Sequence, residues 1–338
     1  VNNIFFVQSP LQLLSAISIA KKNSGKSFLF IRLARKGRDE NNKQISNLIR
    51  NNLGLWEDIV NIKDYNSSLD NFLYKIRFFW YLKKRFGLYS NRVFIGDYRN
   101  FYYCLYAKML ASNSNNYILD DGATVVDLQI NHFQFGKGLL SYFSSFKYRF
   151  IVGFFKSIFG FEVDDYPPNL YTSFNLGQYL YGKQKIEWEG ERIKNKDIEN
   201  VVYFFGSKYS EAGIISLHEE RGLLERCYVY LSSSFNFDIF YVPHRDDSKE
   251  KIDLLESIGY KIKYLHMPAE EYFSVNDKVP CVISGFYTTC LYTLSSKYEI
   301  PHALGFNISP YISDKEKAHA IDGVYEYYKS NGIKVLNV

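Results

Sequence analysis

Ile118-Leu119-Asp120-Asp121-Gly122 sets two carboxylates and a glycine directly after a hydrophobic, strand-like run. Loops at the carboxyl ends of strands are where open α/β sheets keep their reactive groups. The same grammar recurs on either side of this stretch. Ile4-Phe5-Phe6-Val7 runs into Gln8-Ser9-Pro10, where Ser9 reads as a helix cap and Pro10 as the first helical residue, with Leu11, Leu14, Ser15 and Ser18 continuing at helical spacing. Phe28-Leu29-Phe30-Ile31 and Val93-Phe94-Ile95-Gly96 are further strand candidates, and the segments between them are long enough for helices. Alternation of this kind predicts a mostly parallel sheet.

The pattern breaks at 187–200, a charged stretch with little apolar periodicity that reads as a linker, and then restarts. Val201-Val202-Tyr203-Phe204-Phe205 ends at Gly206, and a helix is expected from near Glu211 to Tyr230. Strands are expected at Ile239–Val242, Tyr260–Leu265, Val282-Ile283 and Ala303-Leu304, with a last helix near Asp314–Tyr328. The fold class read from this is α/β: two Rossmann-like domains, 1–186 and 187–338, facing a central cleft of the kind that favours ligand binding.

Bulk composition narrows the function. The chain has 338 residues, 46% of them hydrophobic, which supports substantial cores and excludes global disorder. Aromatics reach 18%, with 30 Tyr and 28 Phe, either through codon bias or to supply aromatic surfaces for sugars or membranes. A net charge of +5 without a long basic run or a nucleic-acid motif gives no reason to expect nucleic acid as a partner. Cys104, Cys227, Cys281 and Cys290 form no CxxC pair and read as reduced thiols of a cytosolic protein. Residues 1–20 read as a strand and helix rather than a signal peptide, and no apolar run reaches about 18 residues, the length needed to span a bilayer. Gly138–Phe161 stands apart: it is rich in Phe and Tyr, carries Lys147, Arg149 and Lys156, and has no acid. It reads either as a membrane-interface segment or as a pair of ordinary packing helices.

Four constellations carry the candidate chemistry. In Asp120-Asp121-Gly122, one carboxylate would take a proton from an attacking hydroxyl while the other orients the loop; the competing reading is a solvated turn. In Pro243-His244-Arg245-Asp246-Asp247, an imidazole at a strand exit beside an arginine suits a phosphate ligand or an acid, and the two aspartates either bind a metal or cap a helix starting near Ser248. In Ser284-Gly285-Phe286-Tyr287-Thr288-Thr289, hydroxyl residues open a helix through Leu291 and Leu294, where backbone amides attract phosphate. Gly206-Ser207-Lys208 is a similar turn, without the spacing of a triphosphate loop or a dinucleotide fingerprint. HExxH and zinc-type cysteine spacings are absent.

Asp120-Asp121-Gly122, His244 and Thr288-Thr289, in that order, resemble the motifs of bacterial sialyltransferases of the GT-B fold, in particular the polysialyltransferase and lipooligosaccharide sialyltransferase families. Those families carry an acidic-acidic-Gly motif, a His-Pro motif and a Ser-Ser motif. Val7–Leu14 is similar to their first strand and helix, and Pro268-Ala269-Glu270 to a segment near their nucleotide site. Arg245 departs from the His-Pro motif, and the threonine pair replaces two serines. The resemblance implies inverting transfer of sialic acid, or a related nonulosonic acid, from a CMP donor to a hydroxyl of a surface glycan or glycolipid; the expected location is the bacterial cytoplasm, either free or on the inner face of the membrane through 138–161. By the same resemblance Asp120 is the base and His244 the acid. Gly206, Ser207, Lys208, Arg245, Pro268, Glu270, Ser284, Thr288 and Thr289 are expected at the donor, and Gln8, Ser9, Asp121 and Gly122 at the acceptor or in orienting the loop. No metal or other cofactor is expected, since the leaving group holds a single phosphate. The alternatives are transfer from another nucleotide sugar, or a non-catalytic membrane-peripheral protein of glycan assembly.

Overall fold

The computed structural model describes residues 1–34, 39–63, 67–188, 193 and 196–338. The chain divides into two compact units, Val1–Glu189 and Gly190–Val338.

The first unit runs β1 (Asn3–Val7), α1 (Pro10–Lys22), β2 (Ser27–Ile31), α2 (Asp39–Asn51), β3 (Asp58–Asn61), α3 (Ser68–Phe86), β4 (Arg92–Ile95), α4 (Phe101–Leu110), β5 (Asn116–Leu119), α5 (Thr124–Asn131), α6 (Leu139–Tyr142), α7 (Phe146–Phe159), β6 (Asn169–Thr172) and β7 (Ile186–Trp188). Its seven strands form one sheet in the order β3-β2-β1-β4-β5-β6-β7, with every pairing parallel. Every residue of β1 and β2 is buried, which is why both read as unbroken apolar runs: a parallel sheet is covered on both faces. One of those faces is an aromatic row in which Phe5 stacks on Phe94 at 4.9 Å and Phe94 on Tyr117 at 5.1 Å. Each such ring, fully buried, contributes about 1.5–3 kcal/mol. Much of the chain's aromatic content is therefore core.

The second unit runs β8 (Asp197–Phe205), α8 (Leu217–Ser234), β9 (Asp238–Val242), α9 (Lys249–Ile258), β10 (Lys261–Ile262), α10 (Ala269–Val275), β11 (Lys278–Gly285), α11 (Thr289–Lys297), β12 (His302–Asn307), α12 (Lys315–Ser330) and β13 (Lys334–Asn337). Its sheet is again all parallel, in the order β10-β9-β8-β11-β12-β13. Phe204 anchors the core, stacked between Tyr241 at 5.9 Å and Phe306 at 6.1 Å.

In both sheets the strand order reverses once, between β1 and β4 and between β8 and β11. Doubly wound sheets bind ligands outside the carboxyl ends of their strands at such a reversal. The loops after β1, β4 and β5, and those after β8, β9 and β11, are therefore the positions to inspect.

Several boundaries differ from the sequence reading. The expected linker is shorter than 187–200: Ile186–Trp188 pairs with β6, and β8 already begins at Asp197. The helix expected from Glu211 starts at Leu217, set by Ser216, whose hydroxyl accepts from the Glu219 amide while the Glu219 side chain returns to the Ser216 amide. β11 extends back through Pro280, which fits because the register with β8 shifts between Pro280 and Val282.

Candidate active site

In the first unit, Asp120 and Asp121 leave β5 in opposite roles. Asp120 is 2% exposed. The Thr172 hydroxyl donates to one of its oxygens, and the amide and hydroxyl of Ser173 both donate to the other at 2.8 Å. Its carboxylate thus ties the end of β5 to the end of β6. Both oxygens of Asp120, the residue expected to be the base, are engaged behind the surface. Asp121 keeps 17% of its side chain exposed and is held from two sides. Gln12 donates to it at 2.7 Å, and the Arg99 guanidinium pairs with its other oxygen. Gly122 takes the turn beyond with φ at +65°, a left-handed conformation that favours glycine.

The support for Asp121 extends to Asp97, after β4. Asp97 accepts from Gln8 at 2.5 Å and from Arg99 Nε at 2.8 Å. Burial would lower the pKa of Arg99, but Asp121 and Asp97 outweigh it and hold the group above its usual value. Gln12 reaches Asp121 by crossing Gly96, where any Cβ would overlap its carboxamide. Its Oε1 meanwhile accepts from the Gln8 amide at 2.8 Å. Ser9 serves as the cap of α1, accepting from the Gln12 amide at 3.4 Å. Asp97, Arg99, Gln12, Thr172 and Ser173 escaped the sequence reading. Ile95-Gly96-Asp97 offered a signal, since it too sets an acid and a glycine directly after a strand-like run.

In the second unit the loop after β9 is organised by a buried cation. Lys251 is fully buried and lies 2.6 Å from Glu220, 3.0 Å from Asp247 and 3.5 Å from Glu211. It also donates to the Ser207 carbonyl at 2.7 Å, which fixes the Gly206–Lys208 turn. Asp247 accepts from the His244 amide at 2.8 Å and from the Tyr241 hydroxyl at 2.9 Å. Burial pushes the Asp247 pKa up to about 6 against the pull of Lys251. A Cβ at Gly206 would strike Tyr241 and Asp247, so the glycine is required for this close approach. Ser248, and neither of the aspartates before it, caps α9, accepting from the Lys251 amide at 3.2 Å.

His244 keeps 24% of its side chain exposed. Burial, then the charge of Arg245, lowers its pKa to about 4, so the imidazole is neutral near pH 7. The Asp246 amide donates to His244 Nδ1 at 3.2 Å, which leaves the proton on Nε2. Lys208 pairs with Asp246 at 3.2 Å. The loops after β8 and β9 are thereby linked to each other, and Arg245 is exposed.

The remaining expected donor residues divide. Thr288 caps α11 and Thr289 opens it, so the amides of this helix's first turn face outward from the carboxyl end of β11. Gly285 allows the turn, since a Cβ there would meet the Phe205 carbonyl at 2.9 Å. Ser284 departs from expectation: it is buried, and its hydroxyl donates to the Tyr203 carbonyl on β8 at 3.3 Å. Pro268 precedes α10, and Glu270 accepts from the Thr293 hydroxyl at 2.8 Å, which joins α10 to α11. Among the described residues no group of three or more His, Cys, Asp or Glu side chains is placed to hold a metal ion.

These features define a two-domain protein of the GT-B type, each domain a Rossmann-like α/β unit with polar loops at its switch point. An alpha/beta-galactoside alpha-2,3-sialyltransferase from Photobacterium phosphoreum shares this fold over 99% of the present chain and 98% of its own, with a TM-score of 0.51 and 11% identity. A sialyltransferase from Photobacterium damsela aligns over 100% and 81% of the two chains at a TM-score of 0.46 and 12% identity. MurG from Acinetobacter baumannii aligns over 100% and 86% at a TM-score of 0.45 and 10% identity. No protein-family model and no curated protein sequence matches the chain.

Proposed function

We propose that the protein is an inverting glycosyltransferase that moves sialic acid, or a related nonulosonic acid, from its CMP donor to a hydroxyl of a bacterial surface glycan. The observation that carries the reading is the placement of complementary chemistry at equivalent strand ends. The first sheet presents a carboxylate after β5, and the second presents an imidazole after β9 and a helix amino end after β11.

In this reading Asp121 is the base. It takes the proton of the acceptor hydroxyl as the oxygen attacks the anomeric carbon. The bond from that carbon to the CMP phosphate oxygen breaks, and CMP departs with the electron pair, leaving the anomeric configuration inverted. Arg99 and Gln12 orient the carboxylate, and Asp120 braces the loop behind it. His244 is neutral and carries its proton on Nε2, the state from which it hydrogen-bonds to, and then protonates, the departing phosphate. The amides and hydroxyls of Thr288 and Thr289 stabilise the charge on that phosphate. Proton transfer by placed groups contributes about 10²–10⁴-fold. No metal takes part in this scheme, because one phosphate carries less charge than a diphosphate and the helix end and imidazole share it.

The exposed face of α7 adds a location. Phe155 packs on Phe79 of α3 at 4.2 Å, while Phe146 and Phe150 on the other side are 84% and 66% exposed beside Lys147 and Arg149. We propose that this face rests on an anionic membrane surface, near a glycolipid acceptor. No helix among the described residues is long and apolar enough to cross a membrane.

The test is incubation with CMP-sialic acid and a panel of lactoside and sialoside acceptors, with and without EDTA, read by mass spectrometry. A product gaining one sialyl mass in both conditions is expected. Product only from UDP-sugars would replace the donor assignment, and loss of turnover in EDTA would end the metal-free scheme.

A further inference from the structure

The turn between β11 and α11 carries the groups assigned to the donor phosphate, yet its own cap does not fix its shape. Ser9, Ser216 and Ser248 each lock the start of their helices by accepting from the amide three residues on. Thr288 holds the same position before α11, but its side chain accepts no such bond from the described residues. The first-turn amides of α11 are thus spared by the cap, and the turn loses the restraint that a capping side chain supplies.

The restraint comes instead from α12. Tyr328 is fully buried, and its hydroxyl donates to the Thr288 carbonyl at 2.9 Å. The same oxygen accepts from the Leu291 amide at 3.1 Å, so it joins α12 to the first turn of α11. The ring of Tyr287, one residue before, lies 5.2 Å from Tyr209 of the loop after β8 and 6.4 Å from Tyr325 of α12. The Tyr325 hydroxyl is committed elsewhere. It donates to the Phe306 carbonyl at 2.7 Å and accepts from the Ile308 amide at 3.2 Å, both at the end of β12. Two buried hydroxyls three residues apart on one helix therefore hold different parts of the unit.

The Thr288 carbonyl and the Thr289 N–H belong to one planar, trans peptide group and point in opposite directions. Fixing the oxygen fixes the direction of that amide, and a hydrogen bond received by the oxygen also polarises the N–H into a better donor. We infer that Tyr328 is a positioning residue for phosphate recognition: through the Thr288 carbonyl it aims the opening amides of α11 at the phosphate of the nucleotide donor. This role rests on the donor site proposed above.

Titrations of the full chain with CMP, cytidine, UDP and uridine measure what phosphate adds, as the ratio of nucleotide to nucleoside affinity. Tyr328→Phe keeps the ring and removes only the hydroxyl. It should lower the CMP-to-cytidine ratio about three- to tenfold, the worth of one hydrogen bond, with cytidine affinity within about twofold of wild type. Tyr325→Phe is the control. It removes a comparably buried hydroxyl from the same helix and should lower the urea midpoint at least as much, with the ratio unchanged to within about twofold. Tyr287→Leu, which loosens the turn by another route, should lower the ratio as well. A ratio lowered equally by Tyr328→Phe and Tyr325→Phe, or by neither, overturns the role. A phosphate preference seen only with UDP, and lowered by Tyr328→Phe alone of the two, keeps the role and ends the CMP reading. No gain from phosphate with either nucleotide ends both.

Discussion

At the scale of single residues, the two adjacent aspartates are separated by what surrounds them. Asp120 accepts three hydrogen bonds out of solvent, whereas Asp121 is partly exposed between Arg99 and Gln12. Asp121→Asn should therefore abolish transfer with CMP affinity and unfolding midpoint nearly unchanged. Asp120→Ala strands the Thr172 and Ser173 donors and should cost about 1–3 kcal/mol in urea unfolding. A stable but inactive Asp120→Ala beside an active Asp121→Asn would return the base to Asp120. His244 and Asp247 make a second contrast. His244 binds its proton below about 4 in the folded protein and about 6.5 unfolded, so between these values the unfolded chain holds more protons, and stability falls as pH drops. Asp247 has its folded pKa raised from 3.8 to about 6, so there the folded protein holds more protons, and stability rises as pH drops. The two slopes oppose each other. Urea midpoints at pH 4.5 and 6.5 should show His244→Gln relatively more stable at the lower pH and Asp247→Asn relatively less stable there, with wild type between them. Identical pH dependence in all three proteins would defeat the assignment.

At the scale of elements, the site depends on close approaches that only glycine permits. α1 sends Gln12 across the end of β4 because Gly96 has no Cβ. Gly96→Ala should destabilise the protein by about 1–3 kcal/mol through overpacking, and should lower turnover by releasing Asp121. Adding Gln12→Ala removes the collision, so the double variant should be more stable than the two single effects predict while remaining poorly active. Strict additivity would place the strain elsewhere. This dependence also shows what was legible. β1, β2, β4 and β5 were readable because parallel central strands are apolar on both faces. β3, β6, β7 and β13 were missed: Asp58-Ile59-Val60-Asn61 and Asn169-Leu170-Tyr171-Thr172 are short, with polar ends, and take their strand character from neighbours far along the chain. Missing β6 hid Thr172 and Ser173, and with them the burial of Asp120. Within the second site, His244 and Thr288 stood at visible strand exits, but Lys251 did not, since one lysine four residues after Asp247 looks like any exposed helical pair until Glu220 closes over it.

At the scale of the whole molecule, the excess of 41 basic over 36 acidic residues is small, so location matters more than total. α7 gathers exposed Phe146, Phe150 and Ile158 with Lys147, Arg149 and Lys156 on a helix that contains no acid, while α3 beside it exposes Leu69, Leu73 and Trp80. The sequence offered membrane segment and packing helix as alternatives for this region, and the helix has a face for each: Val152, Phe155 and Phe159 are buried, and the other side is not. Interfacial binding adds apolar insertion to charge attraction, with about 1 kcal/mol from each basic residue near an anionic surface. Co-sedimentation should therefore retain the protein on phosphatidylglycerol-containing vesicles and release it as salt is raised, with little retention on phosphatidylcholine alone. Phe146→Ser combined with Phe150→Ser should weaken that binding about tenfold or more, because two exposed rings lose their insertion while every charge remains. Transfer to a short soluble acceptor should be unaffected, since Asp121 is held by Gln12 and Arg99 and by neither ring. Equal retention of the double variant would remove α7 as the contact, and equal binding to neutral and anionic vesicles would remove the electrostatic half of the argument.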